Sequence, residues 1–128
     1  MIEPDHYSDI AIDHLTRPRN AGTLAEPSGS GSDTNPSCGD RTTFTVRMVD
    51  AQISELRFRT FGCTAAIAAA SVLTELATGL AVPAAMRLEA GDILNALDGL
   101  PRRKEACALM AIGALRAALL DAQVKAIT

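Results

Sequence analysis

The sequence predicts an α+β domain in which a small antiparallel sheet is followed by several helices. Two segments of alternating apolar residues flank a short polar break, which predicts a β-hairpin. The segments after it carry apolar residues at three- and four-residue steps, which predicts helices. Apolar residues make up 48% of the 128 residues and aromatic residues only 3%. We therefore expect a single domain, residues 1–128, with a helix-rich core, since small side chains such as alanine let helices approach closely.

The N-terminal third is predicted to hold one helix and one loop. The helix runs from Asp5 to Thr16 and is limited by Pro18, because the residue before a proline avoids helical angles. His14 lies on its apolar face, where a hydrogen-bonded core histidine is expected rather than a ligand. From Gly22 to Ser37 the chain is dominated by Gly, Ser, Pro, Asn and Asp, which predicts a mobile loop. The loop lacks the Gly-Lys-Ser/Thr ending of a phosphate-binding loop.

The predicted hairpin is followed directly by the first long helix. Apolar residues alternate over Phe44–Val49 and again over Leu56–Phe61, with Asp50–Gln52 as the turn between them. Gly62 permits a sharp change of direction after the second strand. The helix that follows carries an apolar face of alanines and leucines and is predicted to end at Gly79.

Three further helices complete the prediction. Two short ones are expected around Pro83–Leu88 and Asp92–Leu97, and a long final one over Arg102–Lys125. Pro101 suits a helix entrance. The basic triplet Arg102–Lys104 is then interpreted as a solvated helix start.

Charge and cysteine usage exclude several classes of function. The net charge is −3 and the pI about 5.3, whereas a nucleic-acid-binding domain has a basic face. The longest weakly polar run, Cys63–Leu73, is shorter than the roughly 20 residues that cross a bilayer, so no membrane partner is expected. The N-terminus lacks the basic-then-apolar order of a signal peptide, which predicts a cytoplasmic protein. Thiols stay reduced there, and three cysteines cannot all pair.

All three cysteines fall at boundaries between elements. Cys38 ends the predicted loop, and Cys63 and Cys107 lie in or beside the first turns of helices. A helix N-terminus favours the thiolate, which is the form that binds metals. Asp40 adds an oxygen ligand two residues after Cys38. Two interpretations stay open from the residues alone, a shared metal site and three buried small hydrophobes, since no C-x-x-C pair is present.

Several segments resemble a known family in order and spacing. "YSDIAIDHLTRPRNAGTL", "SCGD", "FRTFGCTAAIAAASVLTELATGL", "DILNALDGLP" and "KEAC" are similar to the scaffold proteins of iron–sulfur cluster assembly, IscU and the N-terminal domain of NifU. The resemblance runs from about Tyr7 to Ala122. It implies a SufE/NifU-like fold with about three antiparallel strands packed against helices.

The resemblance also implies a function and a site. Such a scaffold is not an enzyme; it receives sulfur from a cysteine desulfurase, gathers iron, builds a transient [2Fe-2S] cluster and passes it to apo-proteins, and zinc can replace the cluster. Cys38, Cys63 and Cys107 would be the thiolate ligands. Asp40 would fill the family's aspartate position, which is linked to keeping the cluster labile.

Two departures from the family pattern bear on these expectations. The family usually has histidine before the third cysteine, and this chain has Ala106, which cannot ligate. Asp40 is then the best-placed fourth ligand; water, a partner's thiol and Glu105 are alternatives. The chaperone-recognised segment of the family is replaced here by "LPRRK", so delivery through an Hsp70-type chaperone is not expected.

Two other functions are compatible with the same residues. A zinc-containing sulfurtransferase would accept persulfide on Cys107 and pass it on. A regulatory protein would bind the desulfurase without assembling a cluster, as Ala106 would allow. The sequence leaves open the cluster type, the acceptor proteins and whether the chain is a monomer or a dimer.

Overall fold

A three-stranded antiparallel sheet with helices packed on it forms the computed structural model, which describes residues 6–37 and 39–127. The strands lie in the order β1-β2-β3, and five helices accompany them. In chain order the elements are α1 (Asp9–Thr16), β1 (Gly29–Asn35), β2 (Asp40–Val49), β3 (Gln52–Phe61), α2 (Thr64–Ala77), α3 (Val82–Met86), α4 (Ala90–Ala96) and α5 (Ala106–Ala126), with a 3₁₀ turn at Arg102–Lys104 before α5. The predicted α+β class is confirmed.

Strands β2 and β3 form the predicted hairpin, with a tighter turn than expected. Asp50 and Ala51 are its two central residues, and both have positive φ, 54° and 62°. Two-residue turns of this kind match the right-handed twist of the flanking strands. A register shift after Arg47 places Ser54 in a bulge, where its hydroxyl donates to the Arg47 carbonyl (3.1 Å). The hairpin therefore turns within two residues and twists strongly at its closed end.

Strand β1 corrects the predicted loop. Residues Gly29–Asn35 pair with β2 along their whole length, from Gly29 opposite Val46 to Asn35 opposite Asp40. Glycine and serine weaken a strand, so composition alone predicted a mobile loop there. The strand forms because its alternate residues are small where helix α5 crosses it.

Two glycines of β1 let α5 lie directly on the strand backbone. A Cβ atom at Gly29 would come within 2.5 Å of the Ala122 nitrogen, and one at Gly31 within 2.2 Å of the Ala118 nitrogen. No side chain fits in either place. The Ser30 N–H then donates to the Asp121 carboxylate of α5 (2.9 Å). This close approach fixes α5, and with it the position of Cys107, relative to the sheet.

The core lies between one face of the sheet and helices α2 and α5. Phe44 and Phe58 are cross-strand neighbours on that face, with ring centroids 6.4 Å apart. Helix α2 is buried on most of its surface, largely through alanines, and α5 buries a broad face. Burial of this apolar surface is the main source of stability. The predicted helix-rich core is confirmed.

Helix α5, with the turn before it, is long and apolar enough to cross a bilayer. The segment Arg102–Ala126 passes that test by length and composition, and 56% of its most apolar window is buried inside the fold. A core helix passes the same test, and the packing of α5 on β1 and β2 accounts for its apolar character.

His14 is the core histidine that was predicted. Its side chain is 5% exposed, its Nδ1 atom lies 2.7 Å from the Ser71 hydroxyl, and its Nε2 atom lies 3.4 Å from Glu75. The predicted start of its helix at Asp5 lies outside the described residues. The helix begins at Asp9, where the Ser8 hydroxyl accepts the Ala11 N–H (3.0 Å).

The hairpin turn yields a prediction about stability. Ala51 holds a left-handed conformation that costs an L-residue about 1–2 kcal/mol and costs glycine little. Glycine also adds freedom to the unfolded chain, which offsets part of the gain. We expect Ala51→Gly to raise the free energy of unfolding by about 0.5–1 kcal/mol, measured by urea denaturation. Ala84→Gly, inside helix α3, is the control and should lower it; a loss in both variants would contradict the turn analysis.

Burial of His14 yields a prediction about pH. Burial, and then the nearby Arg19 charge, lower the pKa of His14 from its ordinary value of 6.5, although Glu75 and Asp13 oppose them. The unfolded chain therefore binds a proton more readily, and stability falls as the pH drops below 6.5. We expect the Tm of His14→Gln to fall less than the Tm of the parent chain as the pH is lowered below 6.5, measured by thermal denaturation. Equal losses in both chains would contradict this assignment.

Candidate metal centre

Three segments far apart in sequence bring a carboxylate and two thiols together. Asp40 is the first residue of β2, Cys63 is the N-cap of α2, and Cys107 is the second residue of α5. Gly62 has a φ of 136° and turns the chain from β3 into α2. The side chains meet because β2 and β3 are paired at this end of the sheet and α2 and α5 both begin there.

The three ligand atoms lie within bonding reach of one ion. The Cys63 Sγ atom is 3.2 Å from Asp40 Oδ2 and 3.5 Å from Cys107 Sγ, and Cys107 Sγ is 3.9 Å from Asp40 Oδ2. All three atoms fall within 4.8 Å of one another. Tetrahedral metal–sulfur and metal–oxygen bonds of about 2.3 and 2.0 Å place ligand atoms at similar separations. The group can therefore hold a metal ion after small adjustments.

Asp40 is buried, and its carboxylate is held by the neighbouring cysteine. It is 3% exposed, and its Oδ1 atom accepts the backbone N–H of Cys63 (3.2 Å) while its Oδ2 atom accepts the Cys63 thiol. A Cβ at position 62 would lie 2.0 Å from Asp40 Oδ1, so Gly62 leaves the space that the carboxylate fills. The sequence pattern predicts only a turn at Gly62; a glycine beside a cysteine at a strand–helix junction is the signal for this second role.

The prediction that a helix start lowers the pKa of the Cys107 thiol is wrong for the metal-free chain. Burial, and then the hydrogen bond and charge of Cys63, raise the pKa of Cys107 to about 12; Asp40 adds to the rise, and Lys104 opposes it. The side chain is 1% exposed. The helix N-terminus and the basic triplet do not overcome desolvation here, because the triplet is largely exposed to solvent. A metal ion must therefore displace the Cys107 proton in order to bind.

The other positions considered as ligands do not join this group within the part of the chain that the structure describes. Cys38 lies outside the described residues. Ala106, at the usual histidine position, is the exposed first residue of α5, and Glu105 is exposed and outside the group of ligand atoms. Within residues 6–37 and 39–127, Asp40 is thus the oxygen donor that stands beside both thiols.

Comparison with known proteins agrees with this geometry. The sequence profile of the NifU-like N-terminal domain matches residues 6–128. The iron–sulfur cluster assembly scaffold protein IscU 1 of Archaeoglobus fulgidus is 41% identical over 115 residues, which cover 90% of this chain and 75% of that protein. The scaffold protein IscU of Escherichia coli K12 is 37% identical over 123 residues, covering 93% and 95%.

A solved structure shares the fold. The N-terminal part of a nitrogen-fixing NifU-like protein from Brucella abortus superposes with a TM-score of 0.77, covering 92% of this chain and 94% of that one. Its sequence is only 15% identical, so this likeness concerns the fold alone.

The contact between Gly62 and Asp40 yields a prediction. Gly62→Ala strains the backbone by about 1–2 kcal/mol and also displaces a buried carboxylate, which costs about 1–3 kcal/mol more. In urea unfolding of the reduced, metal-free chain, we expect the free energy of unfolding to fall by the sum of these two costs. Zinc affinity, measured by competition with a chromophoric chelator, should fall as well.

Gly99→Ala is the matched control for this experiment. Gly99 also has positive φ, 90°, and its Cβ would meet no atom within 4 Å. The control should therefore show the backbone cost and keep its zinc affinity. Equal effects of the two substitutions on unfolding and on zinc would show that Asp40 does not depend on Gly62.

Proposed function

The chain belongs to the NifU-like N-terminal domain family, and we propose that it is a scaffold on which an iron–sulfur cluster is assembled. The observation that carries the proposal is the convergence of Asp40, Cys63 and Cys107 at one point. The cargo is iron and sulfur. A cysteine desulfurase supplies the sulfur, and apo-proteins receive the assembled cluster. The cysteines stay reduced if this takes place in the cytoplasm.

The ligand set suits temporary binding. Thiolates are soft ligands that select iron–sulfur clusters and zinc, whereas a carboxylate is a harder and weaker partner for both. We propose Cys38, Cys63 and Cys107 as the thiolates and Asp40 as the fourth ligand of a transient [2Fe-2S] cluster. The same set accommodates zinc, since three sulfurs and one oxygen satisfy a tetrahedral ion.

Each residue of the group has a distinct part in this proposal. Cys63 is partly exposed and Cys107 is buried, so incoming iron or sulfur reaches Cys63 before Cys107. Its thiol donates a hydrogen bond to Asp40 Oδ2 (3.2 Å), which places the carboxylate beside the sulfur that would bind the metal. Cys107, buried behind it, binds after Cys63 and closes the site from the helix side.

The sulfurtransferase alternative receives less support. A persulfide acceptor must be an accessible thiolate. Cys107 is buried, and the pKa of its thiol is raised to about 12. Acceptance of sulfur on Cys107 would need the first turn of α5 to open.

Anaerobic reconstitution with ferrous iron and sulfide tests the scaffold proposal. We expect about two irons and two sulfides per cluster and the visible absorbance of a [2Fe-2S] centre. Cys63→Ser should lose both, because it removes a soft ligand. Ala106→His should retain the cluster and lose iron to a chelator more slowly, because an imidazole at the site is a further donor.

The same experiment separates the alternatives. A cluster held only by Ala106→His would make the native chain a zinc protein or a sulfur carrier. Absence of bound iron in every variant, with zinc still retained, would reject the scaffold function altogether.

A further inference from the structure

The outer face of the sheet carries an unusual group of side chains beside the metal centre. Strand register places Thr34, Arg41 and Phe61 in one row across the three strands, and Ser32, Thr43 and Arg59 in the next. Successive side chains alternate between faces. Asp40 and Thr42 are buried on the helix side, so these six residues share the opposite face. We name them the outer-face patch.

The patch is positively charged and has no carboxylate. Arg41 and Arg59 are exposed, and neither makes an ion pair within the described part of the chain. Farther along the same face, Arg47 and Arg57 both approach Glu55, at 3.7 and 3.8 Å. The other members of the patch are hydroxyl residues and one aromatic ring. A free positive charge is thus concentrated at the end of the sheet where the ligands lie, in a chain with a net charge of −3.

Phe61 gives the patch an apolar anchor. The ring is 81% exposed, in a chain with only three phenylalanines. It lies directly opposite Arg41 in the strand register and two residues before Cys63. Aromatic residues and arginine are enriched among the residues that contribute most of the binding energy in protein interfaces.

Next to the patch is a shallow pocket on the outer edge of β3. Arg59, Thr60 and Ile67 line it, together with Pro18 and Gly22 of the preceding segment. Ile67 belongs to α2, so the pocket lies between β3 and that helix and shares only Arg59 with the patch.

We propose that the outer-face patch is the docking surface for a cluster acceptor, a protein whose carboxylate-rich surface surrounds an apolar hollow for the Phe61 ring. The proposal rests on the scaffold function proposed above. Arg41 and Arg59 steer the acidic surface toward the ligand end of the sheet. Phe61 then anchors it within two residues of Cys63.

Charge decides which class of partner fits. The chain as a whole is negatively charged, so an acidic protein is repelled by most of its surface and attracted at locally positive groups such as the patch, which orients the docked partner. A nucleic acid needs a wide basic surface, and two free arginines in a chain of pI about 5.3 do not form one.

The test is binding of the apo form of an acidic [2Fe-2S] ferredoxin to the metal-free chain, measured by biolayer interferometry at several salt concentrations. We expect salt-sensitive binding by the parent chain. Arg41→Glu/Arg59→Glu should weaken it by about tenfold or more and flatten its salt dependence. Phe61→Ala should weaken it by about tenfold, mainly through faster dissociation.

Arg87→Glu is the charge-matched control for the single substitution Arg59→Glu, which is measured beside the double variant and should also weaken binding. Arg87 is exposed and follows the last residue of α3. Helix α3 begins directly after Ala81, which pairs with Gln52 at the start of β3. It therefore lies at the opposite end of the sheet. The control should bind apo-ferredoxin nearly as well as the parent chain does.

The outcomes separate the docking proposal from the scaffold function. Parent-like binding by the patch variants, or no binding by the parent chain, overturns the docking proposal while cluster reconstitution stands on its own. If an oligothymidine binds the parent chain better than the ferredoxin does, and the patch variants lose that binding, the docking proposal is overturned in favour of a nucleic acid. Patch-dependent ferredoxin binding by a chain that assembles no cluster supports the docking surface and rejects the scaffold.

Discussion

The carboxylate of Asp40, buried between two cysteines, joins the ends of three elements. A buried carboxylate is costly unless it is hydrogen-bonded. Asp40 meets this need with the Cys63 N–H and the Cys63 thiol, and Cys107 lies behind them. The start of β2, the N-cap of α2 and the first turn of α5 are thereby held at one point. In the metal-free chain the three candidate ligands thus satisfy one another, in an arrangement close to the one that an ion would need.

This arrangement depends on close backbone packing elsewhere in the fold. Helix α5 lies on β1 because Gly29 and Gly31 leave no side chain in the way. That contact fixes the axis of α5 on the sheet, and so brings its first turn, which carries Cys107, to Asp40 at the end of β2. Gly62 acts similarly at short range, since its missing Cβ is the space that the Asp40 carboxylate occupies. Small residues therefore set the geometry of the centre, and large apolar ones such as Phe44 stabilise the frame around it.

The sequence predicted those parts that local pattern determines. Alternation identified the β2–β3 hairpin, periodicity identified α2 and α5, and the position of His14 on an apolar face predicted its burial. Strand β1 was missed, because a strand of glycine and serine forms only when a distant helix covers it. The raised pKa of Cys107 was missed for a similar reason, since helix-end charge can be read from sequence and desolvation cannot. The meeting of Asp40 with two cysteines came from resemblance to a family, and spacing alone left it open.

Release of cargo is the harder half of the proposed function, and the structure bears on it. Removing an ion from a site built only of buried charged ligands would leave those charges unpaired, which opposes release. Here the Cys63 thiol can donate its hydrogen bond to Asp40 again once the metal has left. The emptied site is a closed hydrogen-bonded group, so departure of the cargo leaves no orphaned buried charge among the three described ligands. In the proposed scaffold, a carboxylate among thiols would thus lower the affinity for a bound metal and would also stabilise the site after the metal has gone; both effects favour a scaffold over a permanent metal protein.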